Sequence, residues 1–71
     1  MRTEQYVMQY SYGPHTLAIK ANGGSVKVEK RVGADWVTGE SFNTDGVWRL
    51  DLGNSATRFT PAGGAAYVVS K

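Results

Sequence analysis

The strongest constraint on this chain is an alternation of period two that restarts after each of a series of tight turns. Val26 and Val28 share one parity, and Lys27, Glu29 and Arg31 the other. The same rhythm sets Leu17 and Ile19 against Lys20, and Trp48, Leu50 and Leu52 against Val47, Arg49 and Asp51. At the N-terminus Tyr6, Met8, Tyr10 and Tyr12 alternate with Gln5, Gln9 and Ser11. Residues 13–15 (Gly-Pro-His), 22–24 (Asn-Gly-Gly), 33–35 (Gly-Ala-Asp), 43–46 (Asn-Thr-Asp-Gly), 53–55 (Gly-Asn-Ser) and 62–64 (Ala-Gly-Gly) separate the runs with turn-forming chemistry. No stretch of useful length places apolar residues at the i, i+3, i+4 spacing of a helix.

The expected architecture is all-β, a small antiparallel β-sandwich or partly closed barrel of about seven short strands. Residues 1–71 form one domain, with residues 1–12 as its N-terminal strand. Asp45-Gly46 suits a primed turn, so the strands on either side of residues 43–46 are expected to pair as a hairpin. Trp36 and Trp48 would then sit toward opposite ends of that hairpin, both filling the core. Pro61 marks the edge or end of the short strand that begins near Ala56. Shared parity predicts a core of Leu17, Ile19, Val26, Val28, Trp36, Trp48, Leu50, Leu52 and Phe59.

Composition bears on what such a domain can do. A chain of 71 residues buries only about 60% of the surface its unfolded form exposes, so it has little stability to spare. The absence of cysteine excludes disulfides and thiolate metal sites, and the single histidine, His15, excludes multi-histidine zinc centres. Self-association remains as a source of extra stability. Eight basic against six acidic residues give a net charge of +2, and Glu29 interrupts the one basic group of Lys27, Lys30 and Arg31. That is weak support for a polyanion partner, which usually meets a clustered stripe. No run approaches the apolar length of a signal peptide or a membrane span, so a soluble protein made in the cytoplasm is expected.

The polar residues favour structural roles over catalytic ones. Asp35 and Asp45 occupy turn positions, where carboxylates bond nearby backbone amides, and Asp51 lies on the polar parity of a strand. His15 follows Pro14 in a turn with no nucleophile partner in a recognisable motif, and Ser25, Ser41, Ser55 and Ser70 lie near turns and strand ends. The Gly-Gly pairs at 23–24 and 63–64 are followed by no helix, so neither reads as a phosphate loop. Asn43, Thr44 and Asp45 supply too few oxygen ligands for calcium. No catalytic residue, cofactor or metal is expected. Tyr6, Tyr10 and Tyr12 have the makings of a stacking platform for single-stranded nucleic acid. Packing in the core or against another subunit is the reading their composition favours.

The stretch Gly-Gly-Ser-Val-Lys-Val-Glu-Lys-Arg-Val-Gly-Ala-Asp-Trp-Val (23–37) is followed by Asn-Thr-Asp-Gly-Val-Trp-Arg-Leu-Asp-Leu (43–52) and Thr-Arg-Phe-Thr-Pro-Ala-Gly-Gly-Ala-Ala-Tyr-Val-Val (57–69). In strand and turn spacing over roughly residues 16–71 this order resembles small β-rich bacteriophage virion structural proteins, the capsid decoration, head-fibre and tail components. The resemblance implies a non-enzymatic protein of the virion, a trimer or other ring that binds other virion proteins on a capsid or tail surface. The alternative from a different class is a small β-barrel nucleic-acid-binding protein. For the first reading, Tyr6, Met8, Tyr10 and Tyr12 are the expected oligomer interface. They form a stripe of large side chains on a segment that no proline or lysine protects from edge pairing.

Overall fold

In the computed structural model, which describes residues 1–71 apart from Ser11 and Asn54, seven strands are present as expected. They are β1 (Tyr6–Met8), β2 (Pro14–Lys20), β3 (Ser25–Val32), β4 (Asp35–Phe42), β5 (Gly46–Asp51), β6 (Thr57–Ala62) and β7 (Ala66–Ser70). The N-terminal strand, expected over residues 1–12, is confined to Tyr6–Met8, because Arg2 before it bonds Tyr67 instead. The expected polar-face position of Ser11 and the middle of the Gly53–Ser55 turn lie outside the described residues. The strands form two antiparallel sheets, one ordered β1-β6-β3-β4 and the other β5-β2-β7, packed face to face and not closed into a barrel.

Alternation explains the core. Leu17 and Ile19 of β2, Val26 and Val28 of β3 and Phe59 of β6 are buried between the sheets, together with Leu52 just beyond β5. Trp48 and Leu50 are half-buried and pack against this cluster. Tyr67 and the small residues Ala21 and Ala65 complete it. Tyr67 shares its parity with Ala65 and Val69, so the alternation itself carried that signal. His15, expected in a turn, is instead the second residue of β2, buried opposite Leu50, with Nδ1 3.2 Å from the Gly13 carbonyl oxygen.

Trp36 is not in the core. It lies half-buried on the outer face of its sheet, opposite Arg31. The cause is a bulge: Val28 pairs with Glu40 but Glu29 pairs with Thr38, which leaves Gly39 as an extra residue in β4. One inserted residue inverts side-chain parity, so Phe42 and Trp36 leave opposite faces of one strand.

The expected hairpin across residues 43–46 does not form either. Its flanking strands, β4 and β5, belong to different sheets. β5 pairs along β2, with Gly46 opposite Ile19 and Asp51 opposite Pro14, and Asp45 Oδ1 accepts a 2.8 Å bond from the Ala21 amide at the end of β2. Residues 43–45 are thus a corner between sheets. A tight hairpin instead joins β3 to β4, where Val32 pairs with Asp35 and Gly33 takes φ +63°, as a two-residue primed turn with leading glycine requires. Pro61 sits inside β6, opposite Val26, beyond the part of β6 that β1 covers (Thr57–Phe59).

The N-terminal segment straps one side of the sandwich. Arg2 exchanges two backbone bonds with Tyr67 of one sheet, at 2.7 and 2.9 Å, and β1 then pairs with β6 of the other. The Tyr67 hydroxyl donates to the Glu4 carbonyl at 2.6 Å and pins the strap from beneath. Among the described residues no equivalent segment bridges the opposite side, where β4 and β5 are the outermost strands of their sheets.

Candidate functional site

Three places bring side-chain chemistry together. The first is the outer face of the β1-β6-β3-β4 sheet. Arg58 grips Glu29 with a fork, Nε donating to Oε1 at 3.1 Å and Nη2 to Oε2 at 2.6 Å. Thr60 donates to the same carboxylate at 2.6 Å, and Gln5 donates to Thr60 at 3.0 Å. The guanidinium carbon of Arg58 also lies 4.6 Å over the Trp36 ring. The bonds from Arg58 hold the Glu29 carboxyl below the usual carboxylate range, against the opposing effect of burial. In return Glu29 raises the pKa of Arg58. Every polar atom of Glu29 is thus engaged in bonds that favour its charged form. A carboxylate so held is a poor proton donor near neutral pH.

The second place is a cleft of about 310 Å³ on the open side, between β4 and β5, lined among others by Val28, Gly39, Glu40, Leu50 and Leu52. Lys30 lies at its wall. After Val28 the inward parity of β3 falls on Lys30, and its ammonium donates to the Leu52 and Ser55 carbonyls and to Thr57 Oγ1. The Ser55 and Thr57 bonds measure 3.0 and 2.7 Å. Burial lowers the Lys30 pKa, and the nearby Asp51 charge opposes that shift. The cation ties the chain running from β5 to β6 and occupies one end of the sandwich where an apolar residue would otherwise pack.

The third place is the N-terminal segment. Tyr6 and Met8, half of the expected interface stripe, turn inward and pack against the protein's own core, with the Tyr6 ring 6.4 Å from that of Phe59. The Arg2 guanidinium covers Tyr6 from outside at 3.6 Å. Tyr10 and Tyr12 are 76% and 62% exposed, on the segment that crosses from β1 to β2.

The aspartates stand apart. Asp45 immediately precedes β5 and Asp51 ends it, which places them about 20 Å apart along an extended strand, too far for a carboxylate pair. Asp45 bonds Ala21, Asp51 Oδ1 accepts from the Gly53 amide at 3.0 Å, and Asp35 opens β4 in an exposed position. Among the described residues no three His, Asp or Glu side chains converge as metal ligands, and no helix is long and apolar enough to cross a membrane. Sequence reasoning missed the Glu29–Arg58–Trp36 cluster, because its members come from three strands and one of them changes face at the bulge. No protein-family model, no curated protein and no solved structure matches the chain.

Proposed function

We propose that this protein is a non-enzymatic structural component of a bacteriophage particle, a homo-oligomer that docks on a capsid or tail surface through other virion proteins. The observation that carries this reading is the exposure of Tyr10 and Tyr12 on a strapped, compact β-sandwich. Tyrosine is enriched at the cores of protein interfaces, where the ring is buried and the hydroxyl stays wet. The virion assignment and the preferred trimer come from the resemblance of residues 16–71. Tyr6 and Met8, half-buried against the protein's own core, leave Tyr10 and Tyr12 as the exposed part of the expected interface. Light scattering at tens of micromolar tests the reading: a multiple of the 7.7 kDa chain mass is expected, and a monomer overturns it.

A nucleic-acid-binding module is the second reading, favoured by one feature of the outer face. Lys27, Arg31 and Arg58 share that face with Trp36, a basic and aromatic combination suited to single strands. Arg58 is already committed to Glu29 and to the ring, and Lys30 turns inward, which thins the patch. A polynucleotide titration at several salt concentrations separates the two readings, since phosphate contacts give a steep salt slope.

A further inference from the structure

We infer that the free edge of β5 is a contact for a second copy of this chain, two β5 strands pairing antiparallel about a two-fold axis at Leu50. This surface is distinct from the exposed tyrosines of the proposed function.

The outermost strands differ in how well they resist such pairing. β1 has three residues, β4 is broken by the Gly39 bulge, and β7 already bonds Arg2 at Tyr67. Short, bulged or covered edges are the usual defences against a foreign strand. β5, Gly46–Asp51, has none of these, and it contains no proline or lysine. Its edge borders the open cleft, whose lining mixes the apolar Val28, Leu50 and Leu52 with the charged Lys30, Glu40, Arg49 and Asp51, so the partner strand would arrive beside both apolar contact and charge.

Backbone geometry then selects the register. The Leu52 amide bonds the Gly13 carbonyl, so Leu52, Leu50 and Trp48 direct their backbone groups toward β2. By alternation Val47, Arg49 and Asp51 direct theirs to the free edge. An antiparallel partner must pair those odd positions with one another, which allows axes at residue 48, 49 or 50. The axis at 48 sets Arg49 against Val47, and the axis at 49 sets Arg49 against itself. Only the axis at Leu50 sets each Arg49 against Asp51 of the second copy. It gives two opposite-charge pairs on the outer face and Leu50 against Leu50 on the inner one. The present bonds of Arg49, to Thr16 Oγ1 at 2.7 Å and the Lys71 carbonyl at 3.1 Å, both use Nη1 and are exposed. The fork can therefore turn to the carboxylate at little cost. Such a contact is isologous and closes on itself, joining two three-stranded sheets into one.

The chain has no cysteine, so a single introduced thiol reports the axis directly. Directly opposed residues of a non-hydrogen-bonded antiparallel pair lie about 4.5 Å apart at Cα, within disulfide reach. Under mild oxidation Leu50→Cys is expected to give a covalent dimer, and Val68→Cys, on the outer face of β7, is not. Adding Arg49→Asp to Leu50→Cys should slow the cross-link about tenfold, because two attractive pairs become repulsive. Further addition of Asp51→Arg should restore it. A folded Leu50→Cys protein that stays uncross-linked, or a cross-link indifferent to both charge changes, overturns the proposal. Hydrogen exchange on the unaltered protein is a second measurement. The Arg49 and Asp51 amides should be protected at millimolar protein and lose that protection on dilution through the dissociation constant, and unprotected exchange of both at millimolar protein also overturns it. Serine at Tyr10 and Tyr12 should leave the Leu50→Cys cross-link intact, so failure of the tyrosine surface is distinguishable from failure of this one.

Discussion

Phe42 and Trp48 pack ring to ring at 4.5 Å although they belong to different sheets. Six positions separate them in sequence, and the corner at residues 43–45 folds one strand over the other. The pair closes the open side of the sandwich at the corner end, just as Tyr6 on Phe59 closes the strapped side. Trp48→Ala is expected to cost about 3 kcal/mol, the low end for a tryptophan because the ring is half-buried. That is a large share of the stability of a small domain, and a urea melt reads it. Trp36→Ala removes a ring from the outer face and should cost only about 1 kcal/mol, mostly its contact with Arg58. Equal losses for the two tryptophans would contradict the placement of Trp36.

Asp45 holds the corner by a single bond to the Ala21 amide. Asp45→Ala leaves that amide without its acceptor, and a loss of about 1 kcal/mol is expected. Asp45→Asn keeps an acceptor oxygen and should recover most of it. The comparison of the two variants in thermal melts checks whether the bond or the charge matters.

Two further corners touch backbone to backbone at the same end of the sandwich, where the Gly24 amide bonds the Ala21 carbonyl. A Cβ at Gly24 would stand 1.9 Å from the Ala62 carbonyl oxygen, and one at Gly63 would stand 2.9 Å from the Gly24 Cα. Gly24→Ala is therefore expected to destabilise by at least about 1 to 3 kcal/mol, since rigid backbone must move. A melting temperature within a degree of the unsubstituted protein would contradict this close approach.

Acid should unfold the protein partly through Glu29. Its carboxyl is held below its ordinary value by Arg58 and Thr60, so the unfolded chain binds the proton more readily. The resulting stability is complete above that value and is lost as pH falls through the lower, folded-state pKa. Urea midpoints measured from pH 6 down to pH 3 should fall, and Glu29→Gln should flatten that fall while lowering the midpoint at pH 6. An unchanged acid slope in the variant would assign the effect to other carboxylates.

The alternation of apolar and polar residues by itself determined that this chain is all-β, how many strands it has and which side chains of β2, β3, β5 and β6 face inward. Those properties are local, because a strand's two faces are set by a period its own residues carry. Tertiary structure decided everything that depends on which strands meet. Asn-Thr-Asp-Gly (43–46) and Gly-Ala-Asp (33–35) look alike as turns, yet only the second closes a hairpin. Turn residues permit a reversal, while the destination of the next strand depends on where its backbone and its inner face are both satisfied. For β5 that place is beside β2, with Asp45 bonded to Ala21. The face of Trp36 was undecidable for a related reason. A glycine tolerates a regular strand or a bulge, and the extra residue at Gly39 exists only in register with β3. The Glu29–Arg58–Trp36 cluster and the bare edge of β5 likewise arise from pairings between distant segments, whose energies no single stretch of the chain contains.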